Sequence, residues 1–133
     1  EEEARLAYEL ENGVDVVQVG FVTDDAGTYG CSPDGLVGDD GLVEIKCLPR
    51  KHIDALVYFN KHKRPPPDYA AQIQMQLMVT GRQWCDLTYY HQDLPSLTIR
   101  IVPNDDMTKL LGSQLSKCLT IRNETLAILE SMR

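Results

Sequence analysis

The stretch CSPDGLVGDDGLVEIKC, residues 31 to 47, constrains the fold of this chain more than any other. Leu36-Val37 and Leu42-Val43 are apolar pairs separated by Gly38-Asp39-Asp40-Gly41, a tight turn sequence, so the chain must double back here as a hairpin. Residues two apart on a strand project from one face, so Glu44 and Lys46 point together while Val43, Ile45 and Cys47 face the other way. The same hairpin brings Asp34 beside Glu44. Two carboxylates placed so repel one another unless a cation lies between them, and a hard divalent ion such as Mg²⁺ takes oxygen ligands of this kind. The backbone carbonyl of Ile45 is a natural additional ligand. Lys46, next to such an ion, is suited to orienting an attacking water and balancing charge on a phosphate. An E-x-K triplet alone is common as a surface ion pair; Ser32-Pro33-Asp34-Gly35 ahead of it, and the glycine-rich turn between, point to a site.

The rest of the chain supplies elements around that hairpin. Leu6, Ala7 and Leu10 predict a helix over residues 2–11, stopped by Asn12-Gly13. Val14 to Val22 predicts a strand, and a second strand runs from Thr28 through Pro33. Leu42 to Leu48 is the third. A short helix is expected over Lys51 to Asn60, broken by Pro65-Pro66-Pro67. Asp68 is a candidate N-cap for a helix from Tyr69 to Thr80, closed by Gly81. Trp84–His91 and Leu97–Val102 predict strands, and Asn104 or Asp105 caps a long last helix whose apolar positions are Leu110, Leu111, Leu115, Cys118, Leu119, Leu126 and Leu129. The order predicts an α/β fold, a central mixed sheet flanked by helices. At 133 residues the chain has the length of one domain, 1–133, which opens mid-pattern without an initiator methionine, so an upstream segment is expected to be missing. No membrane span is expected.

Charge is unevenly placed. The chain carries a formal −7, yet Arg50, Lys51, Lys61, Lys63 and Arg64 stand against a single acid, Asp54, between residues 50 and 64. A basic segment beside a carboxylate cluster suits an anionic polymer cut at a metal site, although a solvated loop would have the same composition. Cysteines 31, 47, 85 and 118 form no C-x-x-C, which argues against structural zinc; Cys47 and Cys85 read as small core residues in a reducing, intracellular setting. His52, His62 and His91 lack zinc spacing and are expected at the surface or in packing, with His52 or His62 the ones placed to meet phosphate. Gln72 and Gln76 share a helix face while Gln74 points elsewhere.

The runs S-P-D-G-L-V and G-L-V-E-I-K-C resemble the PD-(D/E)XK nuclease core, specifically its phage lambda exonuclease (viral alkaline exonuclease) branch. Tyr69-Ala70-Ala71-Gln72-Ile73-Gln74 is similar to that branch's Y-x-x-Q-x-Q motif, and Glu1-Glu2-Glu3-Ala4-Arg5 to the end of its first conserved helix. The resemblance implies that Asp34 and Glu44 hold the catalytic metal with the Ile45 carbonyl, that Lys46 positions the water, and that Gln72 contacts the scissile region. It implies Glu1 as an additional acidic ligand, and Ser32, Tyr69, Gln72 and the basic residues Arg50, Lys51, Lys61, Lys63 and Arg64 as DNA contacts. The implied cofactor is Mg²⁺, with Mn²⁺ substituting and Ca²⁺ inhibitory.

The implied activity is digestion of duplex DNA from 5′ ends, leaving 3′ single strands for recombination by annealing. The implied partners are double-stranded DNA ends, a single-strand annealing recombination protein and two further copies in a homotrimeric ring. The implied setting is the cytoplasm of a bacterial host, with a phage or prophage as the source. Two other readings share these residues: a restriction-type endonuclease or junction resolvase of the same fold, and a non-catalytic nucleic-acid-binding module, which would have no need of Asp34, Glu44 and Lys46.

Overall fold

The computed structural model describes residues 1–133, in two compact units, Glu1–Pro103 and Asn104–Arg133. Helix α1 (Glu2–Asn12) ends at Gly13 in the left-handed conformation (φ 63°), with the Gly13 N–H donating to the Glu9 carbonyl. Val14 to Val22 is not one strand but two short ones, β1 (Val16–Val17) and β2 (Val22–Thr23), which belong to different sheets. The break falls over Gln18-Val19-Gly20, where a glycine has no side chain to pack against a neighbouring strand. The second expected strand is also divided. β3 (Gly30–Cys31) pairs with β2, and β4 (Gly35–Val37) pairs with β1, because Pro33 between them has no N–H to give a ladder.

β4 turns through Gly38 (φ 55°) into β5 (Gly41–Lys46). Arg82 Nη1 clamps that turn, donating to the carbonyls of Gly38 at 2.8 Å and Gly41 at 2.9 Å. Helix α2 (Pro49–His62) begins two residues earlier than expected, since proline suits the first helical position, and ends two later. A 3₁₀ turn, Pro67–Tyr69, leads into α3 (Ala70–Thr80). Asp68 is therefore not the cap of a helix starting at Tyr69; its carboxylate accepts from Lys51 Nζ at 2.5 Å and ties the turn to α2.

Strands β6 (Trp84–Tyr89) and β7 (Leu97–Ile101) complete a five-stranded sheet in the order β1-β4-β5-β6-β7. β5 and β6 are parallel and the other pairs antiparallel; the parallel step needs a crossover, which α2 and α3 supply. α1 covers one face, packing Ala4 and Tyr8 on Val16, Val37, Val43 and Ile45. On the other face Ala55 of α2 and Ile73 and Leu77 of α3 meet Leu42, Cys85, Leu87 and Tyr89. β5 is thus buried on both sides, and of its six residues only Lys46 reaches solvent. α1 is also pinned by polar contacts: Tyr8 Oη donates to Asp86 at 2.6 Å, Arg100 pairs with the same carboxylate, and the Arg100 guanidinium lies 3.6 Å over the Trp84 ring.

The second unit is α4 (Asp105–Ser131), whose first turn is capped by Asn104 Oδ1 accepting from the Met107 N–H at 2.9 Å. None of its residues is buried, and Leu110, Leu126 and Leu129 are exposed. No helix is long and apolar enough to cross a membrane. One expectation from the sequence fails on burial. Cys47 is exposed, because the ladder of β5 ends one residue before it, while Cys85 is buried as expected. Of the two places expected for His52, surface or packing, it takes the second: it is fully buried, its Nε2 donates to the Pro95 carbonyl at 2.7 Å and its ring lies beside Tyr89, so it is not placed to meet phosphate.

Candidate active site

The hairpin register sets the site. The last pair of the β4–β5 ladder is Gly35 with Val43, so one step further Asp34 stands opposite Glu44. There the Asp34 side chain replaces a backbone acceptor: its Oδ2 accepts from the Ile45 N–H at 2.7 Å. Burial, more than any other cause, pushes the Asp34 carboxyl up to about 6; the charges of Glu44 and Glu1 push the same way, and the Ile45 N–H and Lys46 oppose them. The two carboxylates are therefore held close in a poorly solvated place, which favours a cation between them.

Glu44 lies on the face of β5 that α3 covers and is only 3% exposed. A buried carboxylate needs donors, and α3 provides two from one helix face. Gln72 Nε2 donates to Oε1 at 2.9 Å and Gln76 Nε2 to Oε2 at 3.0 Å. Lys46 Nζ, two residues along the same strand face, reaches Oε1 at 3.1 Å. The Lys46 ammonium also lies 4.1 Å from the centroid of the Tyr69 ring. Asp34, Glu44, Lys46, Gln72 and Tyr69 thus come together as one group. Gln76 joins them, a residue that the sequence placed on the right helix face without giving it a role.

The other expected residues are placed differently. Glu1 is exposed at the start of α1, close enough to raise Asp34 but not gathered with it as a ligand. Among His, Cys, Asp and Glu side chains, no three converge closely enough to hold an ion by themselves. The oxygens fit a hard divalent cation in kind, with Asp34 spending only one of its two on the Ile45 N–H. Such an ion would draw its other ligands from the Ile45 carbonyl, water and substrate, as Mg²⁺ commonly does. Ser32 is exposed two residues before Asp34. Arg50, Lys51, Lys61, Lys63 and Arg64 are all exposed on or just beyond α2. Lys51 is engaged by Asp68, Arg50 lies 3.8 Å from Asp54, and Arg64 contacts only the Tyr58 hydroxyl, at 3.4 Å.

The raised carboxyl gives a first prediction. In chelator at pH 7.5, Asp34→Asn is expected to raise thermal stability, because Asn keeps an acceptor for the Ile45 N–H and removes a charge held against burial and Glu44. A rise of about two pH units caps the gain near ~3 kcal/mol, and solvent screening reduces it to roughly 1–2. The sign follows from proton linkage. With the folded value near 6 and the unfolded near 3.8, wild-type stability falls as pH climbs through that window. The advantage of Asn should therefore shrink toward zero at pH 4. Melting curves at both pH values decide it, and an equal difference at the two would mean that the charge of Asp34 is not under strain.

Comparison with known proteins bears on the whole arrangement. Residues 1–83 match the YqaJ-like viral recombinase domain. The crystal structure of LHK-Exo, an alkaline exonuclease from Laribacter hongkongensis, is similar at 37% identity and a TM-score of 0.83, over 97% of this chain and 68% of that one. LHK-Exo in complex with dAMP is similar at 37% identity and a TM-score of 0.82, over 96% and 67%. No curated protein matches. The mixed sheet flanked by helices is accordingly the PD-(D/E)XK-like fold of the alkaline exonucleases.

Proposed function

The chain belongs to the YqaJ-like viral recombinase domain family, a family of nucleases of the alkaline exonuclease kind, and from that premise we propose that it is a metal-dependent 5′-to-3′ exonuclease on double-stranded DNA. The observation that carries the reading is the meeting of Asp34, Glu44 and Lys46 at one hairpin, on the fold of an alkaline exonuclease. Asp34, Glu44 and the Ile45 carbonyl would hold Mg²⁺, or Mn²⁺ in its place. When bound, such an ion supplies charge neutralisation at the scissile phosphate and a more acidic water.

The chain's own residues do the rest. Gln72 and Gln76 fix the Glu44 carboxylate so that it does not reorganise as charge develops. Lys46 presents an ammonium N–H to the attacking water and to the phosphate oxygens. The basic residues beyond β5 attract the duplex. The dAMP bound to LHK-Exo supports a deoxynucleoside monophosphate as product. The reading extends to a 3′ overhang handed to a single-strand annealing protein, to a homotrimeric ring around the duplex, and to a phage or prophage origin with action in the bacterial cytoplasm.

End-labelled linear duplex and closed-circular duplex, each with Mg²⁺ and then with EDTA, test it. Linear DNA with a labelled 5′-phosphate should release the label as mononucleotide, the circle should stay intact, and EDTA should stop the reaction. Ca²⁺ should support binding with little turnover. Cutting of the circle would replace the exonuclease by an endonuclease of the same fold. Cleavage in EDTA would remove the metal.

A further inference from the structure

The resemblance to the Y-x-x-Q-x-Q motif implies that Tyr69 contacts DNA as part of a wall beside it; its contacts in the structure point to another task. We infer that Tyr69 is a positioning residue, whose ring face holds the Lys46 ammonium in place during the reaction. The inference rests on the nuclease reading for the role of Lys46 and on geometry for the rest.

Lys46 Nζ has two neighbours of note, Glu44 Oε1 at 3.1 Å and the Tyr69 ring centroid at 4.1 Å. The second distance is well inside the roughly 6 Å over which an aromatic face attracts a cation. The two neighbours are not equivalent. Glu44 Oε1 already accepts from Gln72, and a divalent cation at this carboxylate would take over the charge that attracts the lysine. The ring does not compete for such a cation, so it can keep the ammonium near the water whether or not Glu44 is engaged. A lysine without that support has four rotatable bonds and about 2 kcal/mol of rotamer entropy to scatter it.

Tyr69 is itself well fixed. It is half-buried against the core of the sheet, its ring centroid 6.5 Å from that of Tyr89, at the junction of the 3₁₀ turn and α3. The helix that aims Gln72 and Gln76 at Glu44 therefore also aims the ring at Lys46. The Tyr69 hydroxyl makes no hydrogen bond, while the ring makes the contact, so the ring and not the phenol is the functional part.

The test compares Tyr69→Phe with Tyr69→Leu in the full chain. In protein with isotope-labelled lysine, the Lys46 Hε protons should be shifted upfield by the ring in wild type and Tyr69→Phe, and should move to ordinary values in Tyr69→Leu. Single-turnover cleavage with Mg²⁺ should fall about 3- to 30-fold in Tyr69→Leu, and Phe should restore most of it. Duplex binding measured in Ca²⁺ should change less than about twofold, as for a group acting on the chemical step rather than on uniform binding. Tyr69→Leu should add little on top of Lys46→Ala, since the two act as a unit.

Unshifted Lys46 protons in wild type would overturn the inference. So would a Tyr69→Leu variant that loses DNA binding but keeps its single-turnover rate, which is the signature of a wall. If wild type cuts no DNA under any condition, the nuclease reading fails, whereas the proton shifts still decide whether the ring holds the lysine.

Discussion

Glu44→Gln and Asp34→Ala are each expected to lower single-turnover cleavage with Mg²⁺ by about a thousandfold, the upper range for losing one preorganised electrostatic group. Their stabilities should part company. Glu44 is buried and accepts from Gln72, Gln76 and Lys46 on its two oxygens. A glutamine there offers one acceptor oxygen and one amide group, so donors face donors on one side, which costs about 1–3 kcal/mol for an unmet buried group. Asp34 answers only the Ile45 N–H, and its charge is disfavoured by burial, so its removal should leave the melting temperature at or near that of wild type. Two variants dead in the assay but different in stability would separate a catalytic loss from an unfolding loss. If either variant retains cleavage within about tenfold of wild type, that carboxylate is not part of the machinery.

The hairpin, the caps at Gly13 and Asn104 and the α3 helix were legible because they are local. Gly13 and Asn104 act within one turn of their own helices, and Gly38-Asp39-Asp40-Gly41 dictates the fold-back that sets Asp34 opposite Glu44. What the sequence hid is set by pairing and packing between elements. Val14 to Val22 has the composition of one long strand, but its two ends pair with different partners, β4 and β3, in different sheets. His52 sits in a basic, polar stretch that leaves surface and packing both open; the packing of α2 on the sheet, with the Pro95 carbonyl brought in from beyond β6, decides for packing. Asp68 had the look of a cap, yet Lys51 outcompetes the backbone for it. Gln76 is the instructive case. Helical spacing put it on the face of Gln72, but that the face meets a buried carboxylate depends on the parallel pairing of β5 with β6 and the crossover it requires. With that pairing in mind, two glutamines four apart over an apolar strand bearing one glutamate would have been the signal.

The second large effect is a contrast between two kinds of lysine. Lys46→Met keeps an apolar stem beside Tyr69 and removes the ammonium that lies between Glu44 and the ring, so turnover should drop about a hundred- to a thousandfold. Duplex affinity in Ca²⁺ should barely move, because one cation beside two carboxylates adds little to the field that the duplex meets. The alanine triple at Lys61, Lys63 and Arg64 should do the reverse. Of the five basic residues, Lys51 is engaged by Asp68 and Arg50 is near Asp54, whereas Lys61, Lys63 and Arg64 are exposed at the end of α2 with no acid paired to them. Each that touches a phosphate contributes about 0.9 to the log–log dependence of affinity on salt, so losing all three flattens the slope by up to ~2.7. Binding weakens evenly across sequences, and the chemical step on saturated substrate changes little, since these residues bind ground state and transition state alike. Salt-titrated binding together with single-turnover cleavage measures both halves. An unchanged salt slope in the triple variant would make this segment an ordinary solvated surface, and a Lys46→Met enzyme that cuts normally would move the water-orienting role to another group.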